Sequence, residues 1–406
     1  MALLQLVAKG VQDELLVGNP RTSFFRTAYK RHTPFSTEFR DQVFDNEVGF
    51  GSRRAVVKIA RLGDLLHTCI LQMTMRSLEL TDDVSLYPFY PAEEFVESVE
   101  LYIGSEKIET HDHTFFRVYD ELYRKEDARL AYRELTDFTT EPAGSVKTLY
   151  LPLAFWFCRD PSRALPLVAM AHHEVELVFT FAKSVRGVDP TFAPRPTLIC
   201  EYVHLDTPER TRLASAPQAM LVEQIQSMSA AVQVLPQQNT VRVDLSQLNH
   251  PCKTLAWALT HPERHGVFTG SLRGLENAEA YAPLESAKLV VNGVDRGEVR
   301  SGAWNRAVDA FSRINQIPSV GVYTMNFALH PDDATAPSGA VNLSQVEAYL
   351  HLTTKRAPPG TTRATIMDDA METVPESAQL TMLRVYAQTW NQLIVRDGMA
   401  ALRWLA

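Results

Sequence analysis

Nowhere does the chain run 18 apolar residues together, so no segment has the length of a membrane-spanning helix. The first ten residues, MALLQLVAKG, lack a basic start and hold too short an apolar run for a signal peptide. A chain made and kept on the cytoplasmic side is the expectation. Cysteine is scarce: Cys69, Cys158, Cys200 and Cys252 stand far apart without CxxC spacing. The first three lie inside apolar runs, where a reduced thiol behaves as a small core residue, which favours a reducing compartment over a disulfide framework. Basic excess is missing as well. The net charge is −8, with 23 Lys and Arg against 29 Asp and Glu in residues 1–205, and 17 against 19 in the remainder. Neither half carries the positive field that binding a phosphate backbone needs, and no nucleic-acid partner is expected. GFGS (49–52) lacks the third glycine of a nucleotide loop and runs into a strand-like segment. Spacing alone reveals no Ser/His/Asp set and no catalytic carboxylate pair.

What is present is a long series of short β-rich segments. They include HTCILQMTM (67–75), VESVELYIG (96–104), HEVELVFTF (173–181), KTLAWALT (253–260) and VEAYLHLT (346–353). The 23 prolines and 18 glycines are spread along the 406 residues, as turns between many strands require. Helical periodicity is confined to 113–135 and 302–311. Two neighbourhoods echo each other. VELYIGSEKIETHDHTFFRVYDEL and AKLVVNGVDRGEVRSGAWNRAVDAF both read strand, Gly turn, strand, helix, with Leu101 on Leu289 at an offset of 188. VELVFTF (175–181) matches VEAYLHL (346–352) at an offset of 171. Two related β-domains in tandem produce such echoes. The chain is long enough for two cores, and its apolar periodicity lapses at DTPERTRLASAPQ (206–218).

Four places carry candidate chemistry. HDH (111–113) sets two imidazoles on one side of an extended chain, as metal-binding jelly rolls do, but the sequence turns helical at once and would scatter them. HHE (172–174) opens a strand with its imidazoles on opposite faces, and HPERH (261–265) is broken by Pro262 and Gly266. In VGNPRTSFFRTAYKRHTPF (17–35), rings alternate with bases. Phe25, Tyr29 and Phe35 share one parity of an extended chain and Arg26, Lys30 and His32 the other. The expectation is that the rings pack the first sandwich while the bases pair with acidic neighbours or an adjoining subunit.

LVAKGVQDELLVGNPRTSFFRTAYKRHTPF (6–35) resembles the N-terminal signature of the major capsid proteins of large nucleocytoplasmic DNA viruses. The match runs through Gly18, Asn19, Pro20, Phe24, Phe25, Tyr29, Arg31, His32 and Phe35. GSEKIETHDHTFFRVYDEL (104–122) is similar to that family's strand–turn–helix segment, with His111 in place. LPLAFWFCRDPSRALPLVAMAHHEVEL (151–177) matches at Phe155, Trp156, Phe157, Arg159, Pro161, Pro166, His173 and Glu174. NFALHPDDATAPSGAVNLSQVEAYLHLT (326–353) matches at Pro337, Ser338 and Gly339. Pro34 replaces a usual Asn, and residues 205–320 carry little motif.

The resemblance implies an all-β chain of two tandem eight-stranded jelly-roll sandwiches with a few short helices in loops. Its parts would be an inner-face segment (1–22), a first jelly roll (23–205), a linker (206–218) and a second jelly roll (219–406). It further implies a structural virion protein, not an enzyme, without metal or cofactor, that forms homotrimeric pseudo-hexagonal capsomers of an icosahedral shell. The implied partners are the chain itself, neighbouring capsomers, minor capsid and penton proteins, and the internal viral membrane face, with assembly in the host cytoplasm. A minor capsid protein of the same fold is the alternative of the same class. A jelly-roll metal-dependent enzyme or carbohydrate-binding module around His111 and His113 is the alternative of another class.

Overall fold

The structure, a computed structural model, describes residues 10–26, 29, 31–78, 90–137, 142–234, 239–260, 284–344, 346–355 and 379–404. HPERH at 261–265 lies outside the described residues. The chain divides into two compact units at Pro34 and Phe35. In the first unit, one helical turn (Glu14–Val17) ends at Gly18, whose N–H donates to Glu14 O at 2.9 Å. A side chain at Gly18 would meet that same carbonyl at 2.4 Å, so glycine is required there.

The second unit begins with strands β1 (Phe35–Gln42), β2 (Ala55–Lys58), β3 (Leu65–Arg76), β4 (Val96–Ile103), β5 (Glu106–Asp112), β6 (Val146–Pro152), β7 (Val175–Phe181) and β8 (Thr197–Leu205). They form two antiparallel four-stranded sheets, ordered β1-β8-β3-β6 and β2-β7-β4-β5. That is the strand order of a jelly roll. The order then repeats. Strands β9 (Gln218–Val234), β10 (Asn239–Asp244), β11 (Pro251–Thr260), β12 (Leu284–Val291), β13 (Val294–Ser301), β14 (Val322–Asn326), β15 (Val341–Asn342), β16 (Ala348–Thr354), β17 (Gln379–Arg396) and β18 (Met399–Leu402) follow. They give β9-β17-β11-β14 and β10-β16-β12-β13, with β15 added beside β11 and β18 beside β17. The fold is a double jelly roll. Both echoes fall on equivalent strands: β4 with β12, and β7 with β16.

Alternation explains how the strands bury one face. In β3, Cys69, Leu71, Met73 and Met75 are buried while Ile70, Gln72 and Thr74 are half-exposed. Upstream of a bulge at Leu66/Cys69 it is Leu66 that points inward, because the irregularity reverses the parity. The first core includes Val57, Leu101, Leu177, Phe179 and Tyr202, with Phe95 and Phe181 rings stacked at 4.6 Å. The second includes Leu255, Trp257, Leu289, Tyr323 and Leu350. All four cysteines are free thiols, and Cys69 Sγ lies 3.8 Å from Cys200 Sγ across paired strands.

The helical stretch expected over 113–135 is two helices, His113–Tyr123 and Glu126–Thr136, broken at Arg124 and Lys125. Arg124 takes extended backbone, which lets its guanidinium lie 3.8 Å over the Tyr132 ring. The expected linker holds a helix, Thr207–Ser215, started by Asp206, and β9 begins at Gln218. The second-half helix runs over 302–314, opening with a π turn at Trp304–Val308. Gly302 sits against β12, where an added Cβ would meet Leu284 O at 2.4 Å. Gly302→Ala is therefore expected to cost about 1–3 kcal/mol through overpacking. An unchanged thermal midpoint would remove that constraint.

Candidate functional site

Of the residues that carry the sequence signature, His111, Phe155, Phe157 and Arg159 meet at the seam between the two barrels. The helix His113–Tyr123 is capped by Asp112, which accepts the Phe115 N–H at 2.8 Å. Its Phe115, Val118 and Leu122 pack with Ala154 against Ile225, Ala256, Ala258, Val322 and Tyr386, all on the outer face of sheet β9-β17-β11-β14, and against Ile314. His111 is buried, its ring 4.4 Å from both Phe115 and Phe155, and Phe157 stacks beyond Phe155 at 5.7 Å. Trp156 is buried edge-on to Phe157.

Polar groups fasten this apolar contact. His111 Nε2 lies 3.0 Å from Glu109 Oε1, which also accepts the Ile225 N–H at 2.8 Å. Gln224 Nε2 donates to Ile108 O at 2.6 Å. Arg159 donates from Nε to Ala154 O at 2.7 Å and from Nη1 to Glu223 Oε2 at 2.9 Å. Glu223 is buried and also accepts from Lys253 and, at 3.0 Å, from Gln388 Nε2. Tyr123 OH in turn donates to Gln388 Oε1. Burial holds the Lys253 amine below its usual range, and the Glu223 carboxylate works against that shift. Asp112 accepts the Tyr386 hydroxyl at 2.7 Å and pairs with Arg384. Burial, then the Asp112 charge, pushes the Tyr386 hydroxyl well above its ordinary range.

HDH thus splits three ways. His111 enters the seam, Asp112 caps and crosses it, and His113 lines a cavity of about 230 Å³ in the first barrel with Glu94, Glu97, Arg53 and Lys183. Among the described residues, no three His, Cys, Asp or Glu side chains are grouped to hold a metal ion. A second fastening lies at β18. His172 N donates to Gly398 O at 2.8 Å, and His173 Nδ1 lies 2.9 Å from Ala400 O. Leu393, Val395, Ala400 and Leu402 join the first barrel's core.

The remaining signature residues shape backbone. Pro161 starts a 3₁₀ turn capped by Asp160, and buried Pro166 follows the Leu66–Leu165 bridge. Glu174 pairs with Lys58 at 3.3 Å. In the loop holding Pro337, the Ser338 hydroxyl bonds His330, and Gly339 adopts φ 132°, a conformation that favours glycine. In the arm, Asn19 has φ 47°, Pro20 and Arg31 are exposed, and His32 Nδ1 lies 2.8 Å from Thr33 O.

One expectation fails there. Phe24 and Phe25 are fully exposed, Tyr29 is 78% exposed and Phe35 60%, so these rings are not in the core of the first barrel. The parity argument assumed a strand, but β1 starts only at Phe35, and the described residues upstream form a short helix, a turn and loop.

Known proteins share this architecture from end to end. The N-terminal family of major capsid proteins matches residues 23–206, and the large eukaryotic DNA virus major capsid protein family matches residues 209–401. The major capsid protein of Paramecium bursaria Chlorella virus 1 is 36% identical over 438 aligned residues, covering 99% of each chain. The chain belongs to the major capsid proteins of large eukaryotic DNA viruses. The crystal structure of PBCV-1 VP54, fitted into a reconstruction of the virophage Sputnik, superposes with a TM-score of 0.84 at 32% identity, over 95% of this chain and 100% of that one. A quasi-atomic model of the PBCV-1 capsid superposes at 0.82 with the same identity and coverage.

This capsid protein is a structural component of a virus shell, not an enzyme. Its seam is consistent with that role, since its buried polar side chains are largely spent on joining two barrels. Glu223, Lys253, Gln388 and Arg384 escaped the sequence reading. Glu223, Gln388 and Arg384 sit in strands whose polar parity reads as a solvent face, Lys253 is a lone charge in a strand buried throughout after Pro251, and the one available signal was an unusually long pair, β9 and β17.

Proposed function

We propose that three copies of this capsid protein close into a homotrimer of pseudo-hexagonal outline, and that such capsomers tile an icosahedral shell. The observation that carries the reading is the duplication itself: two jelly rolls of one topology, joined side by side within a chain. Three such chains place six like barrels around one axis, so a threefold closed contact suffices to build a hexagonal tile. The exposed rings at Phe24, Phe25 and Tyr29 gain a rationale as contacts with another subunit or with minor capsid and penton proteins. Residues 1–22 then lie on the inner side, toward an internal membrane, with assembly in the host cytoplasm. Light scattering behind size exclusion is expected to return three times the 45.6 kDa chain mass, and negative-stain images to show triangular or hexagonal particles. A monomer at tens of micromolar would end this reading.

A further inference from the structure

One corner of the seam gathers more positive charge than the carboxylate bonded there balances. Arg159 closes the short helix Trp156–Arg159, Arg163 closes the 3₁₀ turn Pro161–Arg163, and Lys253 comes across from β11 of the second barrel. Glu223 of β9 pairs with Arg159 and Lys253. Arg163 is 5% exposed, and among the described residues its Nη1 has no hydrogen-bond partner. Its guanidinium carbon lies 5.4 Å from the centre of the Trp390 ring, and Lys253 Nζ lies 5.0 Å from the same ring. Trp390, in β17, is buried, and its Nε1 also lacks a partner among the described residues, as does Nη2 of Arg159. Two further carboxylates act on Arg163 through charge alone and are engaged elsewhere. Asp160 Oδ1 accepts the Ser162 N–H at 2.8 Å, and Asp333 Oδ1 accepts the Thr335 N–H at 2.7 Å. Burial pulls the Arg163 guanidinium below its ordinary range, Glu223 and Asp160 work against that, and Arg159 adds to it. Buried charge and buried donors in this state are costly unless something pairs with them.

We infer that this corner binds a small inorganic anion, held by Arg163 Nη1, Arg159 Nη2 and Trp390 Nε1 with the Lys253 amine alongside. The ligand class follows from the groups left over. Each unpartnered atom is a donor, and three cations against one bonded carboxylate leave an excess of two positive charges. Arg159 and Arg163 belong to the first barrel and Lys253 and Trp390 to the second. The anion is therefore a further fastening of the seam, and it ties the docking of the two barrels to anion concentration. It acts within one chain and does not depend on the trimer reading.

The test melts the full chain in potassium gluconate, chloride and phosphate at one pH and one ionic strength, gluconate being too bulky for a buried site. Replacing gluconate with chloride, from about 1 to about 200 mM, is expected to raise the wild-type midpoint by about 2–5 °C. Arg163→Met keeps an apolar stem against Trp390 and is expected to flatten that rise. Trp390→Phe keeps a ring and loses the indole N–H, and is expected to move the half-effect to about 10-fold higher anion. A rise with phosphate and not with chloride keeps the site and makes its occupant an oxyanion. Equal wild-type midpoints in all three salts overturn the inference. So does a rise that both variants retain undiminished, since it then comes from another part of the surface. If Arg163→Met does not fold, the Trp390→Phe titration decides, and an unchanged half-effect there overturns the site.

Discussion

Glu223→Ala is expected to destabilise the protein by on the order of 3–5 kcal/mol, among the largest effects of any single change at the seam. Glu223 is the shared acceptor for two cations taken out of water: the Arg159 side chain is 7% exposed and that of Lys253 1%. Truncation removes the one carboxylate that, among the described residues, is bonded to both. The loss is that of two uncompensated buried charges, not of two hydrogen bonds. It also frees Gln388, which links Glu223 to Tyr123 of the first barrel. Lys253→Met is expected to cost less, because Glu223 keeps Arg159, and the Glu223→Ala/Lys253→Met double variant to fall short of the summed losses. Thermal melts of the four proteins check this series. A Glu223→Ala cost below about 1 kcal/mol would mean that water reaches the seam and solvates both cations there.

The double fold was legible because strand patterning is local and the duplication repeats it. Leu101 and Leu289 lie in β4 and β12, strands with the same place in their sheets. His111, Phe155, Trp156, Phe157 and Arg159 were legible only through the family signature. Nothing in their spacing says that they meet β9, which begins 59 residues beyond Arg159. The polar half of the seam was hidden for a physical reason. In β9, Glu223, Gln224 and Gln226 sit among Val222, Ile225 and Met228, and such a mixture in a strand reads as a half-solvated face. Whether water or another barrel covers that face is a tertiary fact. The aromatic arm failed in the opposite sense. Its alternation mimicked a strand, yet its described residues before Phe35 carry none, and the first ladder begins at Phe35 opposite Leu205.

Stability is expected to fall as pH rises through about 7, and Glu93→Gln to abolish that fall. Glu93 is buried in the short helix Pro91–Phe95, and burial pushes its carboxyl up to about 7. Arg117 and Arg124 pull it down, Asp120 pushes it up, and the Tyr132 hydroxyl donates to its Oε1 at 2.8 Å, pulling it down further. The raised value means that the folded chain holds this proton more tightly than the unfolded chain, whose Glu titrates near 4.5. The stability linked to it is complete below about pH 4.5 and is lost as pH climbs through 7, by on the order of 3 kcal/mol at alkaline pH. Glutamine keeps an acceptor for Tyr132 and never ionises. Neighbouring Asp120, raised by burial, and Glu121, lowered because Arg117 and Arg129 outweigh its burial, remain in both proteins and cancel in the comparison. Melts of wild type and Glu93→Gln at pH 5.5, 7 and 8.5 should therefore diverge, the wild type losing ground with each step. Parallel curves would show that Glu93 is already ionised at pH 5.5, with Arg117 and Arg124 stabilising its charge more than burial opposes it.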